Sequence, residues 1–189
     1  MNILSEKKNC KTILDDHNNV IKHYYDKLSY ETEKNFYEKM NGKQYIPKLI
    51  DIADMKITIE YLGDNSLKKY LKNHSIPIDL AQQFYDIEID MLNCGFYSPG
   101  EHGLGGKFTH AFVDETIKPF ESGHIKIIDF DVMEDNITPQ AVDAFKESIN
   151  EKYAFLFNKN DKSLDELSQK LLMQGVEKKD IDAFIKQFK

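Results

Sequence analysis

The chain contains no arginine: all 25 of its basic residues are lysines. No site in it can therefore use the planar guanidinium fork, which grips carboxylate or phosphate with two parallel hydrogen bonds. Cysteine is almost absent as well. Cys10 and Cys94 have neither a CxxC partner nor a metal-ligand spacing, so reduced thiols in a cytoplasmic protein are the expectation. Long apolar runs are missing. The opening MNILSEKKNC is not a signal peptide, and no stretch approaches the roughly 18 apolar residues of a spanning helix, so no membrane role is expected. An excess of positive charge is missing too. The 25 lysines face 32 acidic residues, a net charge of −7 without a basic run. Phosphate neutralisation supplies most non-specific affinity for nucleic acid, so a general nucleic-acid partner is excluded.

What remains is the composition of a globular domain. The 189 residues are 41% hydrophobic and 30% charged and include 12 Phe and 10 Tyr, enough to bury a sizeable core in one domain or one with a small appendage. Residues 11–15 (KTILD) and 19–25 (NVIKHYY) are short β-like runs around Asp16-His17-Asn18, which predicts a hairpin. Residues 29–41 predict a helix, with Ser29 as N-cap, Phe36, Tyr37 and Met40 at helical spacing and Asn41-Gly42 as the stop. Strands follow at 45–52 and 55–61, the second with Ile57, Ile59 and Tyr61 on one face. Asp64 or Asn65 caps a short helix after a hinge at 62–66, and Pro77 and Asp79 open an amphipathic helix running to Asn93. Residues 95–106 hold five of the nine glycines and form a loop. A β-pair at 108–113 and 124–130, a helix over 139–157 and two short helices over 163–188 complete an α+β pattern with two subdomains.

The sharpest chemical signal is HIKIIDFD, where Asp129 and Asp131 follow the apolar Ile125, Ile127 and Ile128. Carboxylates at a strand exit can hold a divalent cation against phosphate oxygens. Strands also end in Asp for ordinary reasons, and the neighbours supply the weight. In order come NVIKHYY with Lys22 mid-strand, the helix YETEKNFYEKM, YIPKLID, MKITIEY, LGDNSLKKYL, a long helix ending LNCG, a loop, AFVDE and IKIIDFD. Over residues 3–150 this ordered set resembles the protein-kinase-like fold, and IDFD in place of DFG looks more like the bacterial kinase-like sugar and small-molecule kinases.

The resemblance implies a bilobal molecule: a small β-rich N-lobe over 1–62 and a reduced, mainly helical C-lobe over 63–189, with a catalytic-loop-like segment at 95–131. It implies ATP and Mg²⁺ as cofactors. Lys22 would contact the α- and β-phosphates, with Glu33, ahead of Glu31 and Glu38, as its ion-pair partner. The backbone around Glu60–Leu62 would receive adenine, and Asp129 would ligate Mg²⁺ with Asp131 as a second ligand. Taken singly, Lys22, Glu33 and Asp131 also read as a solvated strand lysine, a surface helix residue and a turn residue.

Three departures accompany the resemblance. The phosphate-covering stretch ILSEKKNCKTIL has no glycine, so Lys7 or Lys8 would have to supply charge there. The catalytic loop has no HRD or HGD. Aligning AFVDE puts His110 at the usual Asn position, and Glu101 can serve as base only if the loop carries extra residues. The segment after IDFD, VMEDNITPQ, has no room for a peptide-seating activation segment. The implied activity is an atypical phosphotransferase moving the γ-phosphoryl of ATP to a hydroxyl of an unknown protein or small-molecule acceptor. The alternative is a pseudokinase, the same fold kept as a nucleotide-binding or protein-interaction module. A metal hydrolase built on Glu101, His102, His110, His124 and Asp129 is a weaker reading, because their spacing matches no ligand pattern. A nucleophile at Ser98 or either cysteine has no evident base partner.

Overall fold

The two central strands of the sheet alternate in burial, one side chain in and the next out. The computed structural model describes residues 2–97, 106–130, 137–158 and 161–189. In it β1 (Asn2–Glu6), β2 (Cys10–Leu14), β3 (Asn19–Tyr24), β4 (Leu49–Ala53) and β5 (Lys56–Glu60) form one antiparallel sheet in the order β1-β2-β3-β5-β4. Along β3, Val20, Lys22 and Tyr24 turn to the buried face, as do Ile57 and Ile59 of β5. Because the side-chain period is two, Lys22 shares a face with two core residues and cannot reach solvent on the outer side.

Helix α1 (Lys27–Met40) starts earlier than Ser29. Asp26 is the N-cap, its side chain accepting from the Ser29 N–H, so Ser29 lies inside the first turn. Tyr30, Glu33, Phe36, Tyr37 and Met40 form its buried stripe, at three- and four-residue spacing against the sheet. The stretch expected as a strand from residue 45 pairs only from Leu49. Tyr45 and Ile46 go into the core instead, and the Tyr45 hydroxyl donates to Asp90 Oδ2 at 2.8 Å.

Beyond Glu60 the chain runs to α2 (Leu67–Tyr70), capped at Ser66 rather than Asp64 or Asn65, and then to α3 (Leu80–Asn93). Gly95 ends α3 at φ +85, with its N–H bonded to Leu92 O at 2.9 Å and the Phe96 N–H to Met91 O at 2.9 Å. That reversal needs a left-handed residue, which glycine adopts without a Cβ penalty. Strands β6 (Ala111–Val113) and β7 (Ile125–Ile127) form a small antiparallel pair preceded by a 3-10 turn at Phe108–His110. Helices α4 (Pro139–Lys152), α5 (Phe155–Asn158), α6 (Asp161–Met173) and α7 (Lys178–Ile185) follow, so the single helix expected over 139–157 is broken at Tyr153. Among the described residues the molecule is mixed α+β, with the antiparallel sheet at one end of the sequence and most of its seven α-helices at the other. No helix among them is long and apolar enough to cross a membrane.

Two buried polar clusters hold the helical part. Glu88 on α3 receives Lys152 at 2.7 and 3.0 Å and the Tyr153 hydroxyl, which pins the end of α4 to α3. Asp79 stands at the N-cap position of α3, as the helix opening expected at Pro77 and Asp79 implies, but its side chain makes no capping bond. Its carboxylate instead meets His124 Nδ1 at 2.7 Å and the Phe120 N–H at 2.8 Å, tying the start of α3 to the loop before β7. The two parts of the chain join through aromatic rings. Phe36 of α1 packs edge-on against Phe96, centroids 5.0 Å apart, and stacks on Phe130.

Candidate functional site

A cavity of about 430 Å³ opens where the sheet meets the β6–β7 pair. Residues of β1, β2 and their turn form its roof, Lys22 and the α1 residues Glu33 and Tyr37 its inner wall, the stretch from Ile59 to Asp64 one side, and His110, Ile128 and Asp129 its floor. Such a volume suits a ligand of small-molecule size.

Three segments meet at the inner end, Lys22 and Glu33 lying 11 residues apart and Asp129 lying 107 residues beyond Lys22. The Lys22 ammonium lies 2.8 Å from Glu33 Oε1, 2.6 Å from Glu33 Oε2 and 3.1 Å from Asp129 Oδ1. Of the helix carboxylates weighed from the sequence, Glu33 is the one that reaches Lys22; Glu31 points to Lys34 at 3.9 Å. The pair is buried, with Glu33 at 0% and Lys22 at 6% exposure. Burial alone would push the Lys22 ammonium down, but Glu33, then Tyr24 and Asp129, outweigh it and hold the ammonium well above its ordinary value. Two unpaired charges would cost several kcal/mol each in such surroundings, and here hydrogen bonds satisfy them. The Tyr24 hydroxyl donates to Glu33 Oε2, and the Phe130 N–H approaches Glu33 Oε1 at 3.4 Å.

Asp129 follows β7 with φ +74, an uncommon conformation outside glycine, and the turn directs its carboxylate into the cavity. Lys7 of the β1–β2 turn reaches Asp129 Oδ2 at 2.8 Å, and His110 Nε2 lies 3.3 Å from the same oxygen. Burial raises the Asp129 carboxyl, but Lys22, Lys7 and His110 more than reverse it and hold it well below the usual carboxylate range. Asp129 therefore stays ionised, a hard oxygen ligand with one face toward the cavity.

A divalent cation fits this donor set only in one way. Among the described residues no group of three or more His, Cys, Asp or Glu gathers as a metal cage. Mg²⁺ does not need one, since it commonly binds through one or two carboxylates and completes its shell with water and phosphate oxygens. Asp129 meets that requirement. A preformed catalytic zinc site of the kind a metal hydrolase uses calls for three protein ligands, and His124 faces Asp79 instead of Asp129.

Glu60 and Leu62 line the cavity on its open side. The Glu60 side chain accepts from Lys126 Nζ at 2.8 Å. Glu101 and Asp131 lie outside the described residues, as do Ser98 and His102.

The sequence reading missed Tyr24 and Tyr37. Tyr24 shares the two-residue period of Val20 and Lys22, and Tyr37 stands one helical turn after Glu33, so both spacings were visible. Tyr37 is 0% exposed, lines the cavity, and its hydroxyl has no hydrogen-bond partner among the described residues.

No family model matches the chain, and no curated protein sequence matches it. Among solved structures it is similar to that of WbdD co-crystallised with the kinase inhibitor LY294002, at a TM-score of 0.53 and 14% identity. The match covers 97% of this chain and 44% of that one, so this chain spans less than half the length of WbdD. At that identity the likeness is one of fold.

Proposed function

We propose that the protein is an atypical kinase-like phosphotransferase whose cavity takes ATP with Mg²⁺ and whose acceptor is a hydroxyl group. The observation that carries this reading is the meeting of Lys22, Glu33 and Asp129, from β3, α1 and the exit of β7, at the inner end of one cavity. The fold likeness to a protein that was crystallised with a kinase inhibitor supports it. In this reading residues 1–62 act as an N-lobe and 63–189 as a reduced C-lobe, with the cavity between them.

Each residue then has a task that its chemistry allows. Lys22, fixed by Glu33, holds α- and β-phosphate oxygens. Backbone at Glu60 and Leu62 offers the in-line acceptor and donor that an adenine edge requires. Asp129, with Asp131 as a second carboxylate, holds Mg²⁺, which neutralises phosphate charge when bound. Glu101 takes the proton of the acceptor hydroxyl, and His110 steadies the metal-binding carboxylate or a phosphate. One feature favours a second reading, a pseudokinase that binds nucleotide without transfer: the β1–β2 turn has no glycine to bring its backbone close to phosphates.

Thermal unfolding with ATP and GTP, with and without Mg²⁺, tests the binding. Ligand at about 100 times its dissociation constant adds about 2.7 kcal/mol, a rise on the order of 5–10 °C for a domain of this size. No shift at millimolar nucleotide would sink the reading. A shift without phosphate release or transfer in a coupled assay would select the pseudokinase.

A further inference from the structure

The turn that roofs the cavity carries two adjacent lysines and no glycine. The fold distinguishes them. Lys7 lines the cavity and crosses it to Asp129 Oδ2 at 2.8 Å, a contact between residues 122 positions apart. Lys8 is exposed and is not among the residues facing the cavity. The Lys7 side chain is 48% exposed, against 8% for that of Lys22. Breaking a buried pair is costly, so Lys22 stays with Glu33. Lys7 keeps nearly half of its side chain in solvent, although the Asp129 carboxylate it meets is only 12% exposed, and its ammonium therefore has room to turn toward a ligand.

Asp129 Oδ2 is the oxygen that Lys7 and His110 both approach, while Oδ1 faces Lys22. A metal ion and an ammonium cannot share the same lone pair at hydrogen-bond distance, because the two cations repel and compete for one acceptor. A cation binding at Oδ2 competes with both Lys7 and His110, and of the two Lys7, at 48% side-chain exposure against 16%, has the room to move away. A polyphosphate delivered with the cation offers the departing ammonium several new acceptors within the reach of its flexible four-carbon stem.

We propose that Lys7 is the phosphate-contacting side chain of the cavity roof, and that it trades Asp129 for the polyphosphate on binding, so that metal entry depends on the polyphosphate. A charged side chain thus replaces backbone amides that only a glycine-rich turn could bring close. The proposal rests on the nucleotide reading for the identity of its ligand, but its test does not.

The test is calorimetric titration of wild type, Lys7→Gln, Lys7→Arg and Lys8→Gln with three probes: tripolyphosphate with Mg²⁺, adenosine, and Mn²⁺ alone. Lys7→Gln should bind tripolyphosphate with Mg²⁺ about tenfold more weakly, the loss of one charge-assisted contact. Lys7→Arg and Lys8→Gln should bind it as wild type does. Adenosine should bind all four proteins alike. Mn²⁺ alone should bind Lys7→Gln more tightly than wild type, because its competitor for Asp129 is gone. Equal tripolyphosphate affinity in wild type and Lys7→Gln would overturn the proposal, as would an equal loss in Lys8→Gln. Wild type that binds tripolyphosphate but not adenosine, with the Lys7 dependence intact, would refute the adenine nucleotide and keep Lys7. Wild type that binds adenosine but not tripolyphosphate would refute Lys7 and keep the nucleoside site. Binding of neither would end both.

Discussion

The ring of Phe130 lies stacked on the ring of Phe36, centroids 3.8 Å apart and planes 18° apart. Phe130 directly follows Asp129, and Phe36 stands three residues after Glu33 on the same buried stripe of α1. The stack therefore fixes the distance between the helix that positions Lys22 and the turn that carries Asp129. Tyr37 meets Phe130 edge-on at 5.7 Å, so the contact is enclosed on a second side.

Phe130→Ala should cost about 3–5 kcal/mol in urea denaturation, because it removes a fully buried ring and leaves a cavity against Phe36 and Tyr37. A loss below about 1 kcal/mol would mean that the stack does not join the two parts of the molecule.

Lys22→Met should destabilise by about 3–5 kcal/mol, since Glu33 would be left as a buried charge facing the Tyr24 hydroxyl and the Phe130 N–H. The double variant Lys22→Met with Glu33→Leu should recover a large part of that loss, because Glu33 is then no longer stranded and Asp129 keeps Lys7 at 2.8 Å. Chemical denaturation of both variants is the measurement. A double variant as unstable as the single one would contradict this account.

Tyr37→Phe should leave the melting temperature unchanged or raise it. The hydroxyl is buried without a partner among the described residues, so folding costs its desolvation without a hydrogen bond from them in return. Loss of more than about 1 kcal/mol would show that the hydroxyl is satisfied by water in the cavity.

Asp129 makes stability depend on pH in the acid range. Its carboxyl is held well below its ordinary value of 3.8 in the folded state. Its contribution is therefore complete above that value and is lost as pH falls toward the folded one. Wild type and Asp129→Asn should differ in stability most above about pH 5 and converge as pH falls below 3.8. A difference that stays constant down to about pH 3 would contradict the direction of the shift. Lys22 acts in the opposite window: its contribution is complete below 10.5 and is lost only as pH rises toward its higher folded value.

Local pattern carried much of this molecule in the sequence itself. The absence of arginine, the net negative charge and the scarcity of cysteine were facts of composition and bounded the chemistry before any contact was known. The alternation in 19–24 and 56–60 and the helical spacing of Phe36, Tyr37 and Met40 placed strands and helix, because burial of one face imposes those periods. Lys22, Glu33 and Asp129 could be singled out by their order along the chain. Their convergence was a matter of tertiary structure, since contacts spanning 107 residues are set by how the sheet, α1 and the β6–β7 pair pack and by no local rule. The break of α4 at Tyr153 and the turning of the Asp79 side chain to His124 were decided the same way. Both groups are buried, and each met its hydrogen-bond partner across the core, Tyr153 on Glu88 and Asp79 on His124. The helix start at Asp26 was a local matter, a capping bond to the Ser29 N–H. The choice between Lys7 and Lys8 was again tertiary. Adjacent identical side chains are indistinguishable in sequence, and only the path of the turn over Asp129 separates the one that faces the cavity from the one that faces water.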